Sequence, residues 1–195
     1  MIWYVYVEGG GDRGALKPEC RRGFSEFFRR AGISTSTFRV IACGSRDNAF
    51  RSFCTALEGG QRALLLVDSE DPVTAESAWA HLEARDRWVR PDGADEADCH
   101  LMAQCMESWF LADRDALASF FGADFNARAL PGSPTAVERI PKPDVFSGLE
   151  GATRACKTKG SYGKGKHSFK ILALIDPHRV RLASPFAARL LVRLG

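Results

Sequence analysis

Acidic side chains close two strongly apolar stretches of the chain, and they are the residues best suited to do chemistry. Glu8 closes the first stretch and is followed by three glycines. The second stretch is closed by Asp68, Ser69, Glu70 and Asp71. A buried strand that ends in carboxylates presents them at the carboxyl edge of a parallel sheet, where α/β proteins place their sites. Carboxylate oxygens suit Mg²⁺ or Mn²⁺, so the pattern predicts a metal site for phosphate chemistry.

The spacing in the second cluster favours a shared ligand role. Asp68 and Glu70 would project to the same side if the strand continued through them. Carboxylates packed this closely raise one another's pKa unless a cation lies among them. Alternatively, the acids stabilise the N-termini of the helices that follow, which explains one acid well and four together poorly. We predict Glu8, Asp68 and Glu70 as metal ligands and catalytic residues, and Asp71 as a further ligand.

Glu107 is a third acidic candidate. It opens a predicted helix directly after a predicted strand over residues 99–103. An acid in the first turn stabilises a helix by about 0.3–1 kcal/mol without any other role. Its place at the same sheet edge favours a catalytic role and ligation of a second metal ion. The choice between Asp71 and Glu107 for that second site stays open.

Basic side chains are concentrated between residues 154 and 170, a stretch with no Asp or Glu. The stretch could simply be a solvated surface. Its glycine-interrupted segment, which carries Lys164, Lys166 and His167, is predicted to be mobile, and either lysine could neutralise a phosphate or a leaving oxygen. Lys164 and Lys166 are therefore predicted as catalytic. The residues predicted to contact nucleic acid are Arg46, Lys157, Lys159, Lys164, Lys166 and His167.

Composition bounds the class of protein. The chain has 195 residues, of which 45% are hydrophobic and 26% charged, as in soluble globular proteins. Its net charge of +3 does not by itself indicate a nucleic-acid partner. Six cysteines without a CxxC pair, and no secretory leader, predict reduced thiols and a cytoplasmic location. Zinc binding by Cys99, His100 and Cys105 would lack its second pair of ligands, and no apolar stretch is long enough to cross a membrane.

Apolar periodicity predicts an α/β fold with a mostly parallel sheet flanked by helices. Strands are predicted over residues 1–7, 38–43, 64–67 and 99–103, with a glycine turn over 9–12. Helices are predicted over 18–31, 47–57, 75–84, 107–121, 144–156, 168–174 and 185–194. Residues 1–125 are predicted to form the α/β core. Residues 126–195 are predicted to add an irregular segment and a helical extension that packs on it.

The two acidic strand ends resemble the signature of the TOPRIM fold, a Rossmann-like domain found in topoisomerases, bacterial primases and overcoming-lysogenization-defect nucleases. Glu8-Gly9 matches the first element, and Asp68-Ser69-Glu70 matches the second. Glu70 stands where an aspartate is commoner, which lengthens one ligand but keeps its charge.

More closely, the chain resembles the small bacterial TOPRIM-like family catalogued as domain of unknown function 4276. The matching segments are Val7-Glu8-Gly9, Val67-Asp68, residues 106–113, Tyr162 with Lys164, Ile175-Asp176 and Pro185-Phe186. The resemblance implies a metal-dependent nuclease that acts on DNA or RNA as the effector of an antiphage defence system, with an ABC- or AAA-type ATPase partner. A non-catalytic regulatory subunit that binds nucleic acid or a partner, and a TOPRIM nucleotidyl transferase, are the alternatives. Assembly into a homo-oligomer stays open.

Overall fold

Four parallel strands form one sheet in the computed structural model, which describes residues 2–11 and 16–195. The strands are β1 (Trp3–Gly10), β2 (Phe38–Gly44), β3 (Ala63–Asp68) and β4 (Cys99–Met102), in the spatial order β2-β1-β3-β4. The predicted α/β fold with a parallel sheet is confirmed, and it is consistent with a Rossmann-like fold. Met1 and Asp12, which belong to the predicted first strand and glycine turn, lie outside the described residues.

Eight α-helices accompany the sheet within the described residues. They are α1 (Lys17–Arg30), α2 (Arg46–Glu58), α3 (Ala78–Asp86), α4 (Arg114–Phe121), α5 (Lys142–Thr153), α6 (Lys164–Leu172), α7 (Pro177–Ala183) and α8 (Pro185–Leu194). Local sequence explains where two helices begin. Pro18 lies in the first turn of α1, and the Ser45 side chain accepts a hydrogen bond from the Asn48 amide in the first turn of α2.

Both faces of the sheet are covered, which explains why its central strands are so apolar. Alternate residues of β1 and β3 point to opposite faces. Val5 and Leu66 belong to one hydrophobic cluster, with α1 and the C-terminal helices. Leu65 and Val67 belong to a second cluster, with α2 and α3. Every residue of β3 is buried, as expected for an inner strand of a parallel sheet.

Residues beyond 125 contribute to the main core. Val145 of α5, Phe169 of α6 and Leu190 of α8 lie in the same hydrophobic cluster as Val5 and Phe24. The C-terminal segment therefore packs against β1, the strand that carries Glu8, and against α1.

Two predicted segments are wrong, and one helix is absent from the prediction. The helix predicted from Glu107 is divided into a 3₁₀ helix (Met106–Ala112) and α4, because Asp113 caps α4. The segment predicted to be mobile around Lys164 is the first turn of α6, since buried Phe169 and Leu172 hold that helix in the core. Helix α7 was not predicted because it has only seven residues. The segment predicted as irregular contains two short 3₁₀ turns, Ala127–Ala129 and Val137–Arg139.

None of the helices within residues 2–11 and 16–195 has both the length and the apolar character that a membrane span requires.

Candidate metal centre

Glu8, Asp68 and Glu70 converge at the carboxyl edge of the sheet. One carboxylate oxygen from each residue lies within 4.8 Å of the other two. Glu8 and Asp68 are brought together because β1 and β3 are neighbours, and Glu8 Oε2 accepts a hydrogen bond of 3.2 Å from the Asp68 amide. Three carboxylate oxygens at this separation form a donor set that could hold a metal ion.

Glu70 reaches the other two carboxylates through a turn. Strand β3 ends at Asp68, so the strand does not continue through Glu70, which was the condition for the two side chains to project to the same side. Glu70 has a φ of +66°, in the left-handed region that glycine ordinarily occupies. Its amide donates to the Gln104 carbonyl at 2.9 Å, which fixes the turn to the segment after β4. A non-glycine residue in this conformation carries backbone strain and is common at functional sites.

Asp68 is the most deeply placed of the three acids. It is buried, and its Oδ1 accepts a hydrogen bond of 2.8 Å from the Met106 amide. Burial, followed by the charges of Glu8 and Glu107, raises the pKa of Asp68 well above its usual value. Burial likewise raises the pKa of Glu8, against the opposing effect of Arg46. A divalent cation among these groups would relieve the cost of their ionisation.

Two cationic side chains already lie against the acids. Arg46 is 3.5 Å from Glu8 Oε2 and 2.6 Å from Asp86, and it also donates to the Asp68 backbone carbonyl. These contacts make Arg46 part of the acidic site. Lys142 Nζ lies 2.6 Å from Glu70 Oε2 and 3.6 Å from Asp68 Oδ2.

The place of Lys142 at the acidic site was not predicted from the sequence. It begins α5, in a proline-rich segment predicted to be irregular, far along the chain from Glu70. No local pattern marks such a lysine, because only the tertiary fold brings it to the sheet edge.

Glu107 also lies at this edge, and it is fully buried. Its Oε1 accepts hydrogen bonds from Tyr162 Oη at 3.1 Å and Ser168 Oγ at 3.0 Å. Among the described residues, Glu107 Oε2 has no hydrogen-bond partner. Burial and the neighbouring Glu107 carboxylate raise the pKa of Tyr162, so its hydroxyl stays protonated as a donor.

A cavity of about 270 Å³ lies against three of the acids, and Glu70 is not part of its lining. Its lining includes Glu8, Asp68 and Glu107, the glycine backbone of residues 9–11, and Lys164. Gly9 has a φ of +134°, and a Cβ there would lie 3.1 Å from the Phe169 ring, so both the backbone conformation and the close contact disfavour a side chain. The bare backbone leaves room for a ligand close to Glu8.

Lys164 supplies positive charge to the cavity from the first turn of α6. Partial burial opposes its charge, but the carboxylates of Glu107, Asp68 and Glu8 outweigh that effect and raise the pKa of Lys164. The lysine is therefore protonated at neutral pH.

The remaining predicted residues lie apart from the acids. Asp71 is exposed and pairs with Arg85 at 2.8 Å, outside the group of three. Lys166 Nζ donates to the Lys159 carbonyl. His167 is buried, and its Nδ1 accepts from the Gly163 amide, so it supports the start of α6. Lys157 is exposed.

A larger cavity, of about 670 Å³, is lined by residues of α8 and of β4, including His100 and Arg189. It shares no lining residue with the cavity at the acids. Its lining carries no group of carboxylates comparable to that of Glu8, Asp68 and Glu70, so the smaller cavity is the better candidate for metal chemistry.

The fold and the site together define an α/β protein with a carboxylate cluster at the carboxyl edge of a parallel sheet. Residues 7–195 match the family described as domain of unknown function (DUF4276), and the chain belongs to this family. No curated protein and no solved structure shows significant similarity to the chain.

Proposed function

We propose that the protein is a metal-dependent nuclease that hydrolyses phosphodiester bonds of DNA or RNA. The observation that carries this proposal is the convergence of Glu8, Asp68 and Glu70 beside a glycine-lined cavity. The donor set is made only of carboxylate oxygens, which favours Mg²⁺ or Mn²⁺ over softer metals. Mg²⁺ is the cofactor we propose, with Mn²⁺ as a substitute.

Glu8, Asp68 and Glu70 would hold the first ion. Glu107 is the better candidate for a second site, because it lines the same cavity and its Oε2 is buried without a protein partner in the described structure. Asp71 is less suitable because it points to solvent and pairs with Arg85. Bound ions of this kind activate water and neutralise the leaving oxygen.

The chain's own groups would position the substrate. The glycine backbone after Glu8 lines the cavity through which a phosphodiester would approach Glu8 and Asp68. Protonated Lys164 would neutralise charge on the phosphate as the bond breaks. Tyr162 and Ser168 hold Glu107 in place through their hydroxyl groups. The exposed lysines at 157, 159 and 166 would contact flanking phosphates.

Hydrolysis is favoured over strand joining by the surroundings of the tyrosines. A nucleotidyl transferase or strand-joining enzyme would need a nucleoside triphosphate site or a tyrosine nucleophile with access to the phosphate. Tyr4 and Tyr6 lie within β1, and the Tyr162 hydroxyl is buried and bonded to Glu107. The TOPRIM relationship, the antiphage role and the ATPase partner are part of this proposal and rest on the sequence resemblance.

A nuclease assay with isosteric variants tests the proposal. We expect wild-type protein to cut single-stranded DNA, double-stranded DNA or RNA in Mg²⁺ or Mn²⁺, and not in EDTA. Glu8→Gln and Asp68→Asn should each lower the rate at least about a hundredfold, because each removes a charged ligand. Asp71→Asn is the matched control and should retain activity, since Asp71 lies in the same loop but outside the cluster. Undiminished cutting by both site variants would contradict the proposal.

A further inference from the structure

The Lys142 ammonium contacts the same carboxylates that a metal ion would use. It lies 2.6 Å from Glu70 Oε2 and 3.6 Å from Asp68 Oδ2. Glu8, the third acid, is paired with Arg46 at 3.5 Å. The carboxylate cluster is thus already supplied with positive charge by the chain itself.

The position of Lys142 is fixed by the fold. Its side chain is only 20% exposed. Its amide donates to Gln104 Oε1 at 3.0 Å, and the carbonyl of the same Gln104 accepts from the Glu70 amide at 2.9 Å. Gln104 therefore holds both partners of the ion pair, which distinguishes this pair from a mobile contact between surface side chains.

We propose that Lys142 competes with the metal ion for the carboxylates of Glu70 and Asp68. The ion coordinates both carboxylates only when the Lys142 ammonium moves away. The inference rests on the proposed metal site. Both cations need oxygen atoms of the same two residues, and like charges in this half-buried space repel strongly. The pair lowers metal affinity in the absence of substrate.

Substrate binding would then favour metal binding. An ammonium displaced from Glu70 needs a new anion, and the phosphodiester of a nucleic acid bound at the adjacent cavity supplies one. Two ligands that each release the same internal contact bind with positive coupling, and the coupling is reciprocal. Lys142 would thus make full metal loading depend on the presence of nucleic acid.

Metal affinity without nucleic acid is the direct test. We expect Lys142→Met to bind Mn²⁺ about tenfold more tightly than wild type by isothermal titration calorimetry, since the competing charge is gone. Lys142→Arg keeps the charge and should stay within about twofold of wild type. Lys166→Met is the matched control for loss of a positive charge. It should bind Mn²⁺ as wild type does, because the Lys166 ammonium contacts the Lys159 carbonyl instead of the acids.

A double-mutant cycle separates competition from a general change of charge. In a Glu70→Gln background, Lys142→Met should improve Mn²⁺ affinity by much less than tenfold, because the main contact of the lysine is already absent. Equal or weaker Mn²⁺ binding by a folded Lys142→Met protein would overturn the inference. Tighter binding by this variant, with no cleavage by wild type in any metal, would support competition and contradict the nuclease function instead.

Discussion

His100, on strand β4, shows how burial alone can set the charge of a side chain. The residue is 5% exposed, and its Nε2 has no hydrogen-bond partner in the described part of the chain. Burial, reinforced by the charges of Arg193 and Arg189, lowers the pKa of His100 to about 4. The histidine is therefore neutral at the pH where the acidic cluster would work.

The lowered pKa of His100 predicts a loss of stability in mild acid. An unfolded histidine takes up a proton at about pH 6.5, while the folded one resists protonation down to about pH 4. The unfolded state therefore binds more protons between these values, so the free energy of unfolding falls as pH falls through this window. We expect that loss to reach about 2 kcal/mol near pH 5.

The measurement is urea denaturation of wild type and His100→Leu at neutral pH and in mild acid. The wild type should lose about 2 kcal/mol more than the variant over this interval. The comparison removes the opposite effect of Asp68 and Glu8, whose raised pKa values favour the fold in acid. His178→Leu, at an exposed histidine of α7, should behave as wild type. Equal pH dependence of the free energy of unfolding in wild type and His100→Leu would contradict the lowered pKa of His100 as the cause.

The acids and Lys164 could be predicted from the sequence, but the ion pairs that Lys142 and Arg46 make with the acids could not. Glu8 and Asp68 follow apolar strands, and parallel pairing brings such positions to one edge. Lys142 carries no comparable signal, because its approach to Glu70 depends on how α5 packs. Arg46 was expected to contact a phosphate, since nothing in its local sequence indicates that Glu8 and Asp86 take its guanidinium.

At the scale of elements, α1 and α6 set the position of Lys164 and Ser168. Gly23 in α1 lies against α6, where a Cβ would be 2.8 Å from the Phe169 carbonyl oxygen. The absence of a side chain allows the two helices to approach closely. Sequence periodicity predicted α1, but the glycines at 163 and 165 concealed the start of α6.

Gly23→Ala should lower stability although alanine favours helices. Alanine in place of a helical glycine ordinarily adds about 1 kcal/mol. At Gly23 the new methyl group would push α6 outward, so we expect a net loss of about 1–3 kcal/mol in urea denaturation. Gly151→Ala in α5 is the matched control, because its nearest neighbour is the Ala129 methyl at 3.6 Å.

The Gly151→Ala control should be at least as stable as wild type. A Gly23→Ala protein that gains stability to the same extent would show that α1 and α6 are not in close contact.

At the scale of the whole molecule, the candidate site is assembled from both halves of the sequence. The sheet supplies Glu8 and Asp68, while Lys142, Tyr162 and Lys164 come from beyond residue 125. The α/β class could be predicted because alternating apolar strands and helices leave few arrangements of parallel strands. The sequence also predicts that the C-terminal helices pack on the core and bring Lys164 to the site. The contacts of Lys142 with Glu70 and of Tyr162 with Glu107 could not be predicted, because no local pattern marks these two residues.

The central claim is that Glu8, Asp68 and Glu70 hold a divalent metal ion. Anomalous X-ray diffraction from crystals soaked in Mn²⁺ tests it most directly, because the signal locates the ion independently of activity. We predict a Mn²⁺ peak in direct contact with carboxylate oxygens of all three residues, and no peak there in Asp68→Asn crystals. Saturating Mn²⁺ that gives no peak at these carboxylates, or a peak only elsewhere on the protein, would contradict the claim.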